Sequence, residues 1–100
     1  MQPFNIKEFE WDEGNNEKSL VKHNVTNEEA EDAFSDPDAI VFKGKDKRFI
    51  LLASTTEGRY LFQVFIKKTG GIIRIISSRD QSKKDKRHYL KKYSSNTREW

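Results

Sequence analysis

The sequence predicts a small α+β fold. Three apolar runs, over residues 49–53, 60–66 and 72–76, have the length and the Phe, Ile, Leu and Val content of strands, and turn residues separate them. Ahead of them, Thr26 and Glu29 stand at the spacing of a helix capping box. One hundred residues leave room for one core and not two. With 34% apolar and 35% charged residues and a mean hydropathy of −0.92, that core is modest and the surface large. Disorder is the alternative at such polarity, and the clustering of the apolar residues into strand runs argues against it.

The elements follow in order. Phe9-Glu10-Trp11-Asp12 alternates apolar and acidic residues, which suits a short strand with Phe9 and Trp11 on one face. Asp12-Glu13-Gly14-Asn15 turns the chain into a helix over 16–23, with Leu20 and His23 on one face and Asn24 able to end it left-handed. Thr26 opens a second helix whose apolar stripe is Ala30, Ala33 and Phe34, and Asp36-Pro37 stops it. Residues 40–79 read as a three-stranded antiparallel meander. Lys43-Gly44-Lys45-Asp46 is a loop or hairpin tip, and strands over 48–54, 59–67 and 72–78 are joined at Thr56-Glu57-Gly58 and Thr69-Gly70-Gly71. The last strand is apolar on both faces, so it is expected to be central and covered. Ser82 and Asp85 then open a basic helix through Tyr93, anchored by Tyr89, Leu90 and Tyr93. One domain over 1–93 and a loose tail over 94–100 are the expected boundaries.

Charge is divided along the chain. Residues 1–40 hold 3 Lys/Arg against 11 Asp/Glu, and residues 41–100 hold 16 against 5, so a net +3 conceals halves of −8 and +11. A basic half of this strength can attract nucleic acid, an acidic protein or an anionic membrane, or pair with the acidic half inside the fold. With no cysteine and two histidines far apart, neither a disulfide framework nor a zinc site is expected, and no cofactor motif is present. No apolar run is long enough for secretion or for a membrane span, so a cytoplasmic protein without a membrane partner is expected.

Arginine is the informative residue type. Arg59 opens one strand, Arg79 closes the next, and Arg74 stands among four isoleucines. Burial among isoleucines obliges Arg74 to reach a carboxylate, a cleft or solvent. Either Arg74 pairs with the acidic half, or Arg59, Arg74 and Arg79 converge on one phosphate, whose oxygens guanidinium groups match bidentately. His23 offers an imidazole for acid–base work, or is a packed or capping residue. Lys22, Arg48, Lys83, Lys84, Arg87 and Tyr89 are candidate RNA contacts, each with a blander reading as a surface cation or, for Tyr89, as a helix anchor. RNA can supply its own nucleophile, because its 2′-hydroxyl attacks the adjacent phosphate. A protein then needs only to orient that attack, move protons and stabilise charge.

A further pattern spans nearly the whole chain. Phe9-Glu10-Trp11-Asp12, Lys18, Lys22-His23-Asn24-Val25, Glu28-Glu29-Ala30, Asp36-Pro37, Gly58-Arg59, Arg74-Ile75-Ile76-Ser77-Ser78-Arg79 and Lys83-Lys84-Asp85-Lys86-Arg87-His88-Tyr89 occur in this order. Together they closely resemble the BrnT family of bacterial type II toxins. The resemblance implies a RelE-like fold, ribonuclease activity that blocks translation, and a BrnA-type antitoxin. The ribbon-helix-helix part of that antitoxin would bind operator DNA as the complex. The chain departs from the pattern with Ser19 for Asn, Asn24 for Gly, Lys47 for an acidic residue and Ala53 for Gly. The alternative is a catalytically weak RNA-binding or antitoxin-binding co-repressor on the same fold.

Overall fold

The structure is a computed structural model and describes residues 5–98. Strands β1 (Glu8–Phe9), β2 (Ile40–Lys43), β3 (Phe49–Ser54), β4 (Tyr60–Lys68) and β5 (Ile72–Asp80) form one five-stranded sheet in the order β1-β5-β4-β3-β2. β2 to β5 are an antiparallel meander, and β1 closes the other edge parallel to β5. The α+β class stands, with four strands in the meander instead of three. β2 was hidden because Ile40-Val41-Phe42-Lys43 is short and runs directly into its turn. β4, rather than β5, is the middle strand, since a two-residue β1 leaves β5 next to the edge.

Alternation along β4 sets the two faces. Leu61, Gln63 and Phe65 are fully buried beneath α1 (Lys18–His23), α2 (Asn27–Asp32) and a 3₁₀ turn over Ala33–Ser35. Phe34 stands edge-on to both Phe9 and Phe65, at centroid distances of 5.3 and 5.0 Å. Gln63 is satisfied inside this core: it donates to the Ala30 carbonyl at 3.0 Å and accepts from the Ser78 hydroxyl at 2.6 Å. On the opposite face, Tyr60 and Phe62 meet Tyr89 of α3 (Lys83–Arg98).

The caps are those the residue types favour. Thr26 accepts from the Glu29 N–H while Glu29 accepts from the Thr26 N–H, and Asn24 ends α1 at φ 57°. α1 begins at Lys18, not at residue 16, because Glu17 adopts a left-handed conformation. Gly71 sits at φ +80°, with the Asn5 carbonyl 2.7 Å from where a Cβ would lie, so a side chain here would push β1 off β5. Beyond β1, a loop side chain and one from α1 complete the edge of β5. Asn15 donates to the Ile75 carbonyl and Ser19 accepts from the Ser78 N–H.

α3 continues to Arg98, past the expected end at Tyr93, since no glycine or proline interrupts residues 94–98. The last two residues of the expected tail, and the side chain of Tyr93, lie outside what the structure describes. Among the described residues no helix is long and apolar enough to cross a membrane.

Candidate functional site

One end of the sheet brings together the start of β4, the end of β5, the C-terminus of α1 and the N-terminus of α3. Arg59 stands at its centre, with all five N–H donors engaged. Nε and Nη2 fork onto Asp80 at 2.7 and 3.2 Å, and Nη1 reaches Glu29 at 3.1 Å. Nη1 and Nη2 also donate to the carbonyls of Asn24 and His23. A guanidinium so saturated fixes geometry; it ties the end of α1 to both long strands. The Asp80 carboxyl is held below its ordinary range first by the Arg59 hydrogen bonds. That of Glu29 is lowered first by the Thr26 N–H and then, against burial, by Arg59.

Arg74 takes the internal pairing. It forks onto Asp12 at 2.8 and 3.0 Å and reaches Glu10 at 3.2 Å, joining β5 to the chain around β1. Two carboxylates of the acidic half, Glu10 and Asp12, are therefore the partners of this arginine at the sheet edge.

Arg79 differs. Its Nη1 donates to the Asp80 carbonyl at 2.9 Å and to Asp85 at 3.1 Å, while the guanidinium lies 3.9 Å above the Phe62 ring. Its side chain is 38% exposed, and among the described residues its Nε and Nη2 donors have no partner. Burial acts against the Asp85 carboxylate, yet the Ser82 N–H and hydroxyl and Arg79 bring its pKa below the ordinary value.

The expected convergence of Arg59, Arg74 and Arg79 on one phosphate does not occur. A bulge at Val64/Phe65 sets Arg74 opposite Ile66 and Arg79 opposite Phe62, both on the α3 side of the sheet. Four steps of β4 then separate them, about 13 Å. Arg59 points to the other side, under α1 and α2. Parity and the bulge together divide the three.

The remaining candidates fall into two groups. His23 and Lys22 are exposed on α1 beside Arg59, whose guanidinium donates to the His23 carbonyl. Lys83, Lys84 and Arg87 are exposed on α3, whose first turn carries Asp85, the partner of Arg79. Arg48, by contrast, lies at the far end of the sheet, and Tyr89 is withdrawn from any ligand. Tyr89 is buried, and its hydroxyl donates to Asp36 at 2.6 Å, so it anchors α3 and does not offer a face to RNA. Trp11 likewise packs on the core and donates to Glu31 at 2.7 Å. Sequence reasoning missed Asp80, Asp85 and Phe62 as the partners that position the arginines; the adjacency of Asp80 to Arg79 was the available signal. Among the described residues no group of three or more His, Asp and Glu side chains is placed to hold a metal ion.

Residues 11–85 match the family model described as "Ribonuclease toxin, BrnT, of type II toxin-antitoxin system". The chain belongs to the BrnT family. The matched stretch runs from Trp11 to Asp85 and so includes His23 and all three strand arginines. In fold, this BrnT-family chain is similar to the crystal structure of the Brucella abortus ribonuclease toxin BrnT. The TM-score is 0.62 at 20% sequence identity, over 76% of this chain and 97% of that one. No curated protein is similar enough to count as a match.

Proposed function

We propose that this chain is itself an active endoribonuclease, cleaving RNA at the end of the sheet where Arg79 and His23 stand. The observation that carries the reading is the state of Arg79. It is flattened on Phe62, partly exposed, and keeps three N–H donors in reserve, which suits two oxygens of a phosphate. In the reaction the 2′-oxygen bonds to the adjacent phosphorus and the bond to the 5′-oxygen breaks. A 2′,3′-cyclic phosphate and a 5′-hydroxyl result. A proton must leave the 2′-hydroxyl and one must reach the 5′-oxygen. His23 is the side chain of this edge suited to carry one of them, and Arg79 stabilises the charge gathering on phosphorus-bound oxygens. Arg59 is a positioning residue, since it holds the His23 carbonyl and the Asp80 carboxylate. Arg74 keeps β1 in place. Lys22, Lys83, Lys84 and Arg87 attract the polyanion. No step requires a metal ion.

The protein blocks translation in the cytoplasm, and a BrnA-like antitoxin with a ribbon-helix-helix part neutralises it. Operator DNA is held through that antitoxin. Induced expression arrests growth, co-expression of the antitoxin restores it, and Arg79→Ala abolishes the arrest. A second reading, a catalytically weak co-repressor, draws on the complete internal pairing of Arg59. Under it, induced expression leaves growth unaffected.

A further inference from the structure

At the opposite end of the sheet, the β2–β3 hairpin and the end of β4 enclose a cavity of about 440 Å³ lined by Lys43, Gly44, Lys47, Arg48, Phe49 and Lys67. The ladder explains the clustering. Lys43 pairs with Phe49 and Phe49 with Phe65, so these three form one row across the sheet, and Lys67 follows two residues beyond Phe65 on the same face. The turn that presents Lys47 and Arg48 is defined. Asp46 and Lys47 both adopt left-handed φ angles, 53° and 63°, and the Arg48 N–H donates to the Lys45 carbonyl at 3.0 Å. Phe49 gives the cavity an apolar floor, its ring stacked 5.6 Å from that of Phe65. Lys43, Lys47 and Arg48 are exposed, and among the described residues no carboxylate is salt-bridged to any of them. Asp46, at the tip, does not line the cavity.

We propose that this groove is a second binding site for single-stranded RNA, taking a backbone phosphate away from the scissile one. The proposal rests on the RNA reading above. Four cations around an apolar floor match a sugar-phosphate unit, whose charge lies on one side and whose base is apolar on its faces. The contrast with Arg59 and Arg74 is informative, because those arginines are neutralised by internal carboxylates, whereas among the described residues no salt bridge reaches Lys43, Lys47 or Arg48. Lys67 stands five steps along β4 from the Phe62–Arg79 position, about 17 Å, and on the opposite face of the sheet. Only an RNA several nucleotides long reaches both, so the groove acts on long substrates and is silent for short ones.

The test uses a 2′-O-methyl oligonucleotide of about 12 nucleotides, which cannot be cleaved, titrated over a range of salt concentrations. The triple variant Lys43→Gln/Lys47→Gln/Arg48→Gln is compared with the unaltered protein, with melting temperature as the control for folding. The expected result is a loss of affinity of about tenfold and a salt slope shallower by about two, from three lost contacts at about 0.7 each. Binding of a trinucleotide stays the same. An unaltered protein that binds the oligonucleotide, with the variant equal in affinity and slope, overturns the groove and leaves the RNA reading standing. Failure of the unaltered protein to bind any RNA overturns that reading and this one with it. An unchanged RNA isotherm with lost binding of an acidic peptide assigns the groove to a protein and overturns the proposal.

Discussion

Asp80 takes the Nε–H and an Nη2–H of Arg59 at 2.7 and 3.2 Å, while its own backbone carbonyl accepts from Arg79 at 2.9 Å. One residue thus couples the saturated arginine on one side of the sheet to the available arginine on the other.

Replacing Arg59 therefore tests structure before chemistry. Arg59→Ala leaves Asp80, Glu29 and two α1 carbonyls without their donor and is expected to cost about 2 kcal/mol of stability. Arg59→Lys recovers little of this, because an ammonium cannot reproduce the fork. Urea unfolding measures both. An Arg59→Ala protein as stable as the parent contradicts the positioning role.

Stability should also depend on acid pH in a particular direction. Asp80 and Glu29 are held below their ordinary values of 3.8 and 4.5. A carboxyl with a depressed folded-state pKa stabilises the fold above its unfolded pKa and loses that contribution as pH falls through the folded value. The melting temperature is expected to hold from neutral pH down to about 5 and to fall progressively below about 4.5. In Arg59→Ala this acid dependence becomes weaker, and an unaltered pH profile in that variant argues against the pairing.

Tyr89 is the test of how α3 is held. Tyr89→Phe keeps the ring contact with Tyr60 but removes the hydrogen bond to Asp36, at an expected cost of about 1.5 kcal/mol. Amide exchange should quicken in α3 while the β4–β5 ladder keeps its protection. Equal acceleration in both indicates that α3 and the sheet open as one unit.

Neutralisation is expected to act on the same basic surface. With the antitoxin bound, amide protection should rise on α3 and the ends of β4 and β5, and RNA affinity should drop sharply. Protection confined to residues 5–38 rules out this mode of inhibition.

What the sequence revealed and concealed has a physical pattern. Strands β3 to β5, the Thr26–Glu29 capping box and the left-handed Asn24 were legible because each depends on neighbours a few residues away, whereas the short β2 was not. The parallel pairing of Glu8 with Ile72 was not, since nothing in a two-residue strand announces a partner so distant in the chain. The arginines illustrate the same limit. That Arg59 and Arg79 lie near one another followed from strand order. That they face opposite sides, and that Arg74 shares a side with Arg79, depends on one bulge at Val64/Phe65 which the residue types do not mark. Whether Arg74 met a carboxylate or a phosphate stayed open until Glu10 and Asp12 were placed beside it.

Metal-independent cleavage of RNA at the end of the sheet around Arg79 is tested by product analysis. The purified protein is incubated with RNA in EDTA, beside Arg79→Ala of unchanged melting temperature, and the new ends are identified. The expected products carry 2′,3′-cyclic phosphate and 5′-hydroxyl ends, with cleavage by Arg79→Ala slower by roughly a hundredfold or more. Cleavage that stops in EDTA and returns with a divalent ion, or a folded Arg79→Ala protein with full activity, would contradict this mechanism.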